Sequence, residues 1–312
     1  MALKGLENND LKLIIFGGKG GVGKTSCAIA TALALSENFK TLIISTDPAH
    51  SVADCLEQQI GFKVVKVADK INLSAIEVVA DEALAEFKKE HLPEFKKLFE
   101  TSTNLDNQDI DEMLTLSIPG IDEVMSFKAI IDFIEEGYYE KYVVDTAPTG
   151  HAMRLIASPR LVDEWIKVAA RMRWKYRYMI TSFSGSYQPD EVDTFLLSLK
   201  KTIKRIENIL RDNSKCEFIP VCIPEKMAIT ETSRLLSDLE KFEIFPRQII
   251  VNNVMASDEG DFCKRRKAGQ LPYLQEISKT FSNLNMVEVP VFATEIKGLK
   301  ALEKLKSLLF SG

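Results

Sequence analysis

Six short apolar runs recur along the chain, each closing in a turn: 11–16 (LKLIIF), 41–47 (TLIISTD), 142–146 (YVVDT), 218–224 (FIPVCIP), 248–254 (QIIVNNV) and 287–295 (VEVPVFATE). Apolar runs of this length, without alternation, predict strands covered on both faces. Helical stretches separate several of them, the first being the Ala- and Leu-rich 25–38 (TSCAIATALALSEN), so the α/β class with a mostly parallel sheet flanked by helices is expected. Two stretches break that rhythm, because 81–117 and 152–213 are long, charged and helical with no strand between. They predict an inserted α-helical subdomain, leaving 1–80, 118–151 and 214–312 for the α/β domain. Within the insert, Val192, Phe195, Leu196, Leu199, Ile203, Ile206 and Leu210 fall on one stripe at helical spacing. Residues 161–180 gather Trp165, Val168, Ala169, Met172, Tyr176 and Met179 on another, and 181–191 (TSFSGSYQPDE) reads as a flexible loop.

Composition narrows the picture. The 312 residues are 46% hydrophobic, enough for a substantial core, and the net charge of −5 argues against a nucleic-acid partner bound by phosphate neutralisation. No apolar run is long enough to span a bilayer and the first ten residues carry no signal-peptide core, so a cytoplasmic protein is expected. Cys27, Cys55, Cys216, Cys222 and Cys263 form no disulfide framework, which fits a reducing compartment.

The chemistry gathers at strand ends. Gly18, Gly23, Lys24 and Thr25 satisfy G-x-x-x-x-G-K-[ST] between a strand and a helix, so the backbone of Gly18, Lys19, Gly20, Gly21, Val22 and Gly23 is expected to cradle phosphates together with Ser26. Lys24 should reach the β- and γ-phosphates, and the Thr25 hydroxyl should ligate Mg²⁺. Asp47, in STDPAHS, stands where a carboxylate could orient the attacking water; capping the next helix is the structural alternative. Asp145 ends an apolar strand as a Walker-B carboxylate does, holding Mg²⁺ directly or through water, and Gly150 can offer its N–H to the γ-phosphate. His50 and His151 lack metal-ligand spacing and His91 is expected at the surface.

Taken together, KGGVGKT with Lys19, STDPAHS, SIPGIDE (117–123), DTAPTGHAMRL (145–155) and VPVFATEIKGL (289–299) resemble the ArsA-type deviant Walker A P-loop ATPases over almost the whole chain. Within that family the motifs are most similar to the targeting ATPases for tail-anchored proteins of the guided-entry pathway, of archaeal or eukaryotic type. The resemblance implies a Mg²⁺-dependent ATPase acting as a homodimer, in which Lys19 crosses to the partner's nucleotide, Asp47 is catalytic, and the stretch from Asp145 to His151 is a second switch. It also implies a nucleotide contact by Glu225, an adenine contact by Asn252, and a segment near the base at Pro290, Val291 and Phe292. The inserted helices become a composite apolar groove for transmembrane segments, with Met113, Met125, Met153, Met172, Met179, Phe195 and Leu199 as candidates, and a membrane receptor as a further partner. Methionine suits a groove that accepts many sequences.

One motif departs from the family: where many members carry a C-x-x-C pair that binds Zn²⁺ between protomers, this chain reads Cys263-Lys-Arg-Arg266, so no zinc site is expected from it. Two other functions remain open. An arsenite-stimulated pump-driving ATPase would need thiolates, and no cysteine lies between Cys55 and Cys216. A membrane-surface positioning ATPase of the cell-division type would use the leucine and lysine faces of IKGLKALEKLKSLLF, whose alternative is the last core helix.

Overall fold

The computed structural model describes residues 2–47, 49, 51–68, 71–102, 121–147, 149–184 and 188–311. They divide into two compact units, one of residues 1–79, 132–153 and 209–312, the other of 80–131 and 154–208.

The first unit is built on an eight-stranded sheet of order β3-β4-β2-β5-β1-β6-β7-β8. Its strands are β1 (Leu13–Gly17), β2 (Thr41–Ser45), β3 (Val65–Lys66), β4 (Leu73–Glu77), β5 (Lys141–Asp145), β6 (Cys216–Cys222), β7 (Gln248–Val254) and β8 (Asn285–Pro290). All neighbours run parallel except β3, which pairs antiparallel with β4. β1, β2, β5 and β6 are buried at every position, the reason their sequences run apolar rather than alternate. β3 and β4 were not among the expected strands. β4 (LSAIE) carries a Ser and a Glu among its five residues, which breaks the apolar run the reading depended on.

Around the sheet lie α1 (Lys24–Leu35), the short α2 (Ser51–Leu56), and further along the chain α8 (Lys226–Lys241), α9 (Gly260–Thr280) and α10 (Gly298–Phe310). α1 packs against α10, and its Cys27, Ala28, Ile29, Ala32 and Leu33 share one core with Leu302, Leu305 and Leu309 of that helix. Those leucines are fully buried, and the Leu3 N–H donates to the Leu309 carbonyl. The apolar face that could have met a membrane is therefore consumed by the core, and the positioning reading loses its anchor. Among the described residues no helix is long and apolar enough to cross a membrane.

The second unit is helical. α3 (Ala80–Glu90) and α4 (Leu92–Ser102) lie within it, α5 (Ile121–Glu136) begins in it, α6 (Thr149–Ser184) enters it after its first five residues, and α7 (Glu191–Arg211) occupies it up to residue 208. The expected stripe of α7 is buried at all seven positions. The stripe expected for 161–180 is met only in part: Ala169 is buried and Val168 is exposed, the side chains of Met172, Tyr176 and Met179 lie outside the described residues, and among the described side chains Val162, Ile166 and Arg173 are also buried. The physical reason is Arg173, whose guanidinium is buried and bonds Asp190, with Nε 3.6 Å from Asp193 Oδ1. An apolar-only pattern cannot register a buried face that carries a charge. α6 also runs four residues into the stretch expected as loop, and Asp190 then caps α7 by accepting the Val192 N–H at 3.1 Å. His91 is not a surface residue either: it lies half-buried between Phe87 (4.8 Å) and Phe195 (5.0 Å).

Candidate functional site

The phosphate loop bridges β1 and α1 at the C-terminal edge of the sheet. It is gripped from two sides. At Gly18 (φ 152°) a Cβ would stand 2.3 Å from the Val221 carbonyl oxygen of β6, and at Gly23 (φ 91°) another would stand 2.3 Å from Asn252 Nδ2 of β7. Only glycine fits such approaches, and the second also requires a left-handed backbone. Asn252 Nδ2 donates to the Val22 carbonyl at 2.9 Å, fixing the loop against β7. The first turn of α1 holds no acidic residue, so its partial positive charge is left for an anion.

Lys24 is buried, and its Nζ donates to the Lys19 carbonyl at 3.3 Å. Burial pushes its ammonium pKa below the usual lysine range, against the pull of Asp145 and Asp47, which favour the charged form. Lys19 itself is half-buried, and among the described residues its ammonium has neither a hydrogen bond nor an ion pair. Gly20 and Gly21 are exposed at the loop's tip; Thr25 and Ser26 are half-buried in the first turn of α1.

Asp145 ends β5 fully buried. The Thr25 hydroxyl donates to its Oδ2 at 2.7 Å, and Ser51 Oγ, at the start of α2, lies 3.3 Å from Thr25 Oγ1. Among the described residues Asp145 Oδ1 has no hydrogen-bond partner. Burial pushes the carboxyl up to about 7, with Asp47 pushing the same way; Thr25, Lys24 and Ser51 hold it down. A buried carboxylate oxygen without a partner, next to a hydroxyl, is a set of hard oxygen donors that fits Mg²⁺. Asp47 is half-buried just beyond β2. Its backbone N–H donates to Ser45 Oγ at 3.2 Å and its Oδ1 accepts the Ala49 N–H at 3.0 Å. It thus closes a turn before α2 rather than capping that helix.

A cleft of about 420 Å³ opens beside the loop, walled by Gly21, Gly23, Thr25, Ser26, Asn252, Asn253, Phe292 and the segment Thr294–Lys297. Pro290 ends β8, the Val291 N–H donates to the Val254 carbonyl at 3.0 Å, and Phe292 faces the cleft with Lys304 Nζ 5.4 Å from its ring centre. Asn252 is 5% exposed, with one amide N–H already given to the loop. Glu225 is exposed at the N-terminus of α8 and does not line this cleft. Gly150 lies in the first turn of α6. A larger open groove of about 980 Å³ shares Asp54 and Lys297 with the cleft but contains none of the phosphate-binding loop.

Sequence reading missed Ser51, Asn253 and Thr294–Lys297. A serine opening a helix directly after DPAH, and a second asparagine at a strand end with a left-handed backbone (Asn253, φ 59°), were the available signals. Of the groove candidates, Met113 lies outside the described residues, as do the side chains of Met153, Met172 and Met179 on α6. Met125, Phe195 and Leu199 are buried inside the helical unit. Among the described side chains, the large apolar ones that α6 and α7 leave exposed are Leu161, Val168, Trp174, Tyr178 and Leu197.

Comparison with known proteins identifies the family. The family of anion-transporting ATPases of the ArsA type matches residues 11–311. The chain is 34% identical to ATPase ASNA1 homolog 2 of Paramecium tetraurelia over 97% of its own length and 95% of that protein's. It is 34% identical to ATPase GET3 of Lachancea thermotolerans (98% and 92% covered) and 32% identical to ATPase GET3C of Arabidopsis thaliana (97% and 83%). With its phosphate loop, its two strand-end carboxylates and relatives matched from end to end, the chain belongs to the ArsA family and is an ATPase of the GET3/ASNA1 type.

Proposed function

We propose that this chain is a cytoplasmic, homodimeric targeting ATPase that takes up transmembrane segments of tail-anchored proteins in a nucleotide-gated apolar groove and hands them to a membrane receptor. The proposal rests on the motif resemblance, and one observation carries it furthest. On the helical unit Trp174 and Tyr178 stack at 6.1 Å while 66% and 68% exposed, with Leu161, Val168 and Leu197 also exposed on α6 and α7. A cavity of about 290 Å³ adjoins them, where Ile166, Ala170, Trp174, Leu196 and Leu197 form the apolar part of a lining that also carries Lys167, Arg173, Asp193 and Lys200. Apolar surface of this kind, on a chain with a well-filled core, suits an apolar ligand.

In the ATPase unit, Thr25 and Asp145 would hold Mg²⁺, which supplies charge neutralisation at the β- and γ-phosphates. Lys24 and the loop amides position the phosphates, and Asp47 orients the water. Asn252 and Phe292 border the base, and the unpaired ammonium of Lys19 is free to reach a nucleotide held by the second copy, beside which Glu225 would also stand. Hydrolysis is then a property of the dimer. Asp47→Asn should lower turnover by about 10²–10⁴-fold with ATP still bound, and Lys19→Ala by on the order of 10³-fold with nucleotide affinity largely kept. Normal turnover by Lys19→Ala would remove the intersubunit role. Co-purification of a transmembrane segment tests the client; consistent failure across nucleotide states and several clients would sink the targeting reading. The arsenite-driven alternative has little support, because Cys27, Cys55, Cys216 and Cys222 are buried and burial pushes the Cys27 thiol up to about 12. Stimulation of hydrolysis by arsenite would revive it.

A further inference from the structure

The exposed faces of α6 and α7 carry positive charge beside their apolar side chains. From Trp165 to Pro189 the sequence holds basic residues and no acidic one, and the same is true from Thr194 to Ile206, in a chain whose net charge is −5. On α6, Lys167, Arg171, Trp174 and Tyr178 follow one another at helical spacing, and all are exposed. Leu197, Lys200, Lys201 and Lys204 do the same on α7. The two faces adjoin, because Lys167, Trp174, Leu197 and Lys200 line one cavity of about 290 Å³. Buried Arg173 of α6 bonds Asp190, just before α7, and so pins the helix pair at that end. Lys167 is engaged within α6 by Asp163 and Glu164, at 2.9 and 2.8 Å. Among the described residues Arg171, Lys200, Lys201 and Lys204 have no ion pair.

We infer that this face of the helical unit docks directly on the headgroup layer of an anionic lipid bilayer. Unpaired cations on adjoining helix faces are complementary to a surface of negative headgroups, which attracts each basic residue brought near it. Trp and Tyr have an apolar body and a polar tip, which suits the depth of the headgroups, and here the two exposed rings stack at 6.1 Å. Leu197 lies among the lysines on one helix face, so cations and apolar groups meet the partner together. A bilayer surface offers that combination, with charge outside and acyl chains just beneath, whereas a nucleic acid offers phosphates without an apolar layer. The contact is peripheral, since no described helix is long and apolar enough to cross a membrane. It goes beyond the targeting reading, in which a protein receptor receives the client. Trp174 and Tyr178 serve both, and the α7 lysines separate the two.

The test is flotation of the full chain with vesicles of phosphatidylcholine alone or mixed with phosphatidylserine. The wild type should bind the mixed vesicles in preference, and less at high salt. Lys200→Glu with Lys201→Glu and Lys204→Glu should weaken that binding by at least about tenfold, while the corresponding glutamine variant loses less. Circular dichroism and wild-type ATP turnover establish that both fold. Trp174→Ala with Tyr178→Ala should also weaken vesicle binding. Equal binding to both kinds of vesicle, binding to neither, or wild-type binding by the glutamate variant overturns the inference. Full vesicle binding by the Trp174 and Tyr178 variant also overturns it, giving the rings to the client alone. Binding of polyglutamate through the lysines without binding of vesicles overturns it too, assigning the face to an acidic protein. Capture of transmembrane segments by a chain that ignores vesicles leaves the targeting reading standing, and vesicle binding without any such capture sinks that reading alone.

Discussion

Each unit of this protein buries a cation, and the two solve the problem differently. In the sheet unit Lys141, which opens β5, is fully buried; its Nζ donates to the Asn8 and Leu11 carbonyls and lies 4.6 Å from the centre of the Phe39 ring. In the helical unit Arg173 is matched by the carboxylates of Asp190 and Asp193, with Lys97 3.7 Å from Asp190. Carbonyl dipoles leave the lysine's charge uncompensated, so burial pushes its pKa down to about 8, helped by Lys12 and opposed by Glu140, Glu7 and Asp10. At Asp190 burial pushes the carboxyl up, but the Arg173 hydrogen bond, the Asp193 N–H and the nearby positive charges outweigh it and hold the pKa low. A cage of dipoles keeps the buried cation titratable; a cage of carboxylates keeps it charged.

Four measurements test this contrast. Arg173→Ala leaves two facing carboxylates without their cation and should cost about 4 kcal/mol in urea unfolding. Arg173→Met with Asp190→Asn should recover most of that loss, and equal costs for the single and double variants would refute a paired cage. Lys141 gives the next largest effect. Its folded pKa lies below the unfolded value of 10.5, so the unfolded chain binds more protons between about pH 8 and 10.5, and stability should rise with pH across that window. The gain is up to about 3 kcal/mol and should vanish in Lys141→Met. A wild type and variant with parallel pH profiles would count against the lowered pKa. Asp190 has the opposite sign: its stabilisation is present above the unfolded carboxylate pKa and is lost as the solution is acidified through the folded value. Asp190→Asn should flatten that acid limb, by less than the first two effects because the side chain is 27% exposed. Smallest of all, Trp174→Ala with Tyr178→Ala should change stability by less than about 0.5 kcal/mol while reducing capture of transmembrane segments. A large loss of stability would place those rings in the fold rather than on a binding surface.

The same contrast explains what could be read from the chain. β1, β2, β5, β6 and most of β7 were legible because burial on both faces demands unbroken apolar runs, β8 was legible from its Val287 and Val289 although Glu288 between them is exposed, and the phosphate loop was legible because Gly18 and Gly23 have no steric substitute. α7 was legible from its seven-residue stripe. α6 was misread where Arg173 replaces an apolar side chain on the buried face, and β4 where Ser74 and Glu77 interrupt the run. Ser51 and Asn253 join the cleft beside the phosphate loop only because the parallel sheet brings the ends of β2, β5 and β7 to one edge.

By itself, then, the sequence determined the sheet's central strands, the phosphate loop with Lys19 and Lys24, and the strand-end acids Asp47 and Asp145, since each depends on local pattern or on steric limits carried by single residues. Tertiary structure alone decided the partners of the buried charges, the place of Ser51 beside Thr25 and Asp145, the use of the α10 leucines as core, and which aromatic rings of α6 face solvent. Those outcomes depend on residues far apart in the chain meeting across helices and strands, and no local periodicity encodes such a meeting.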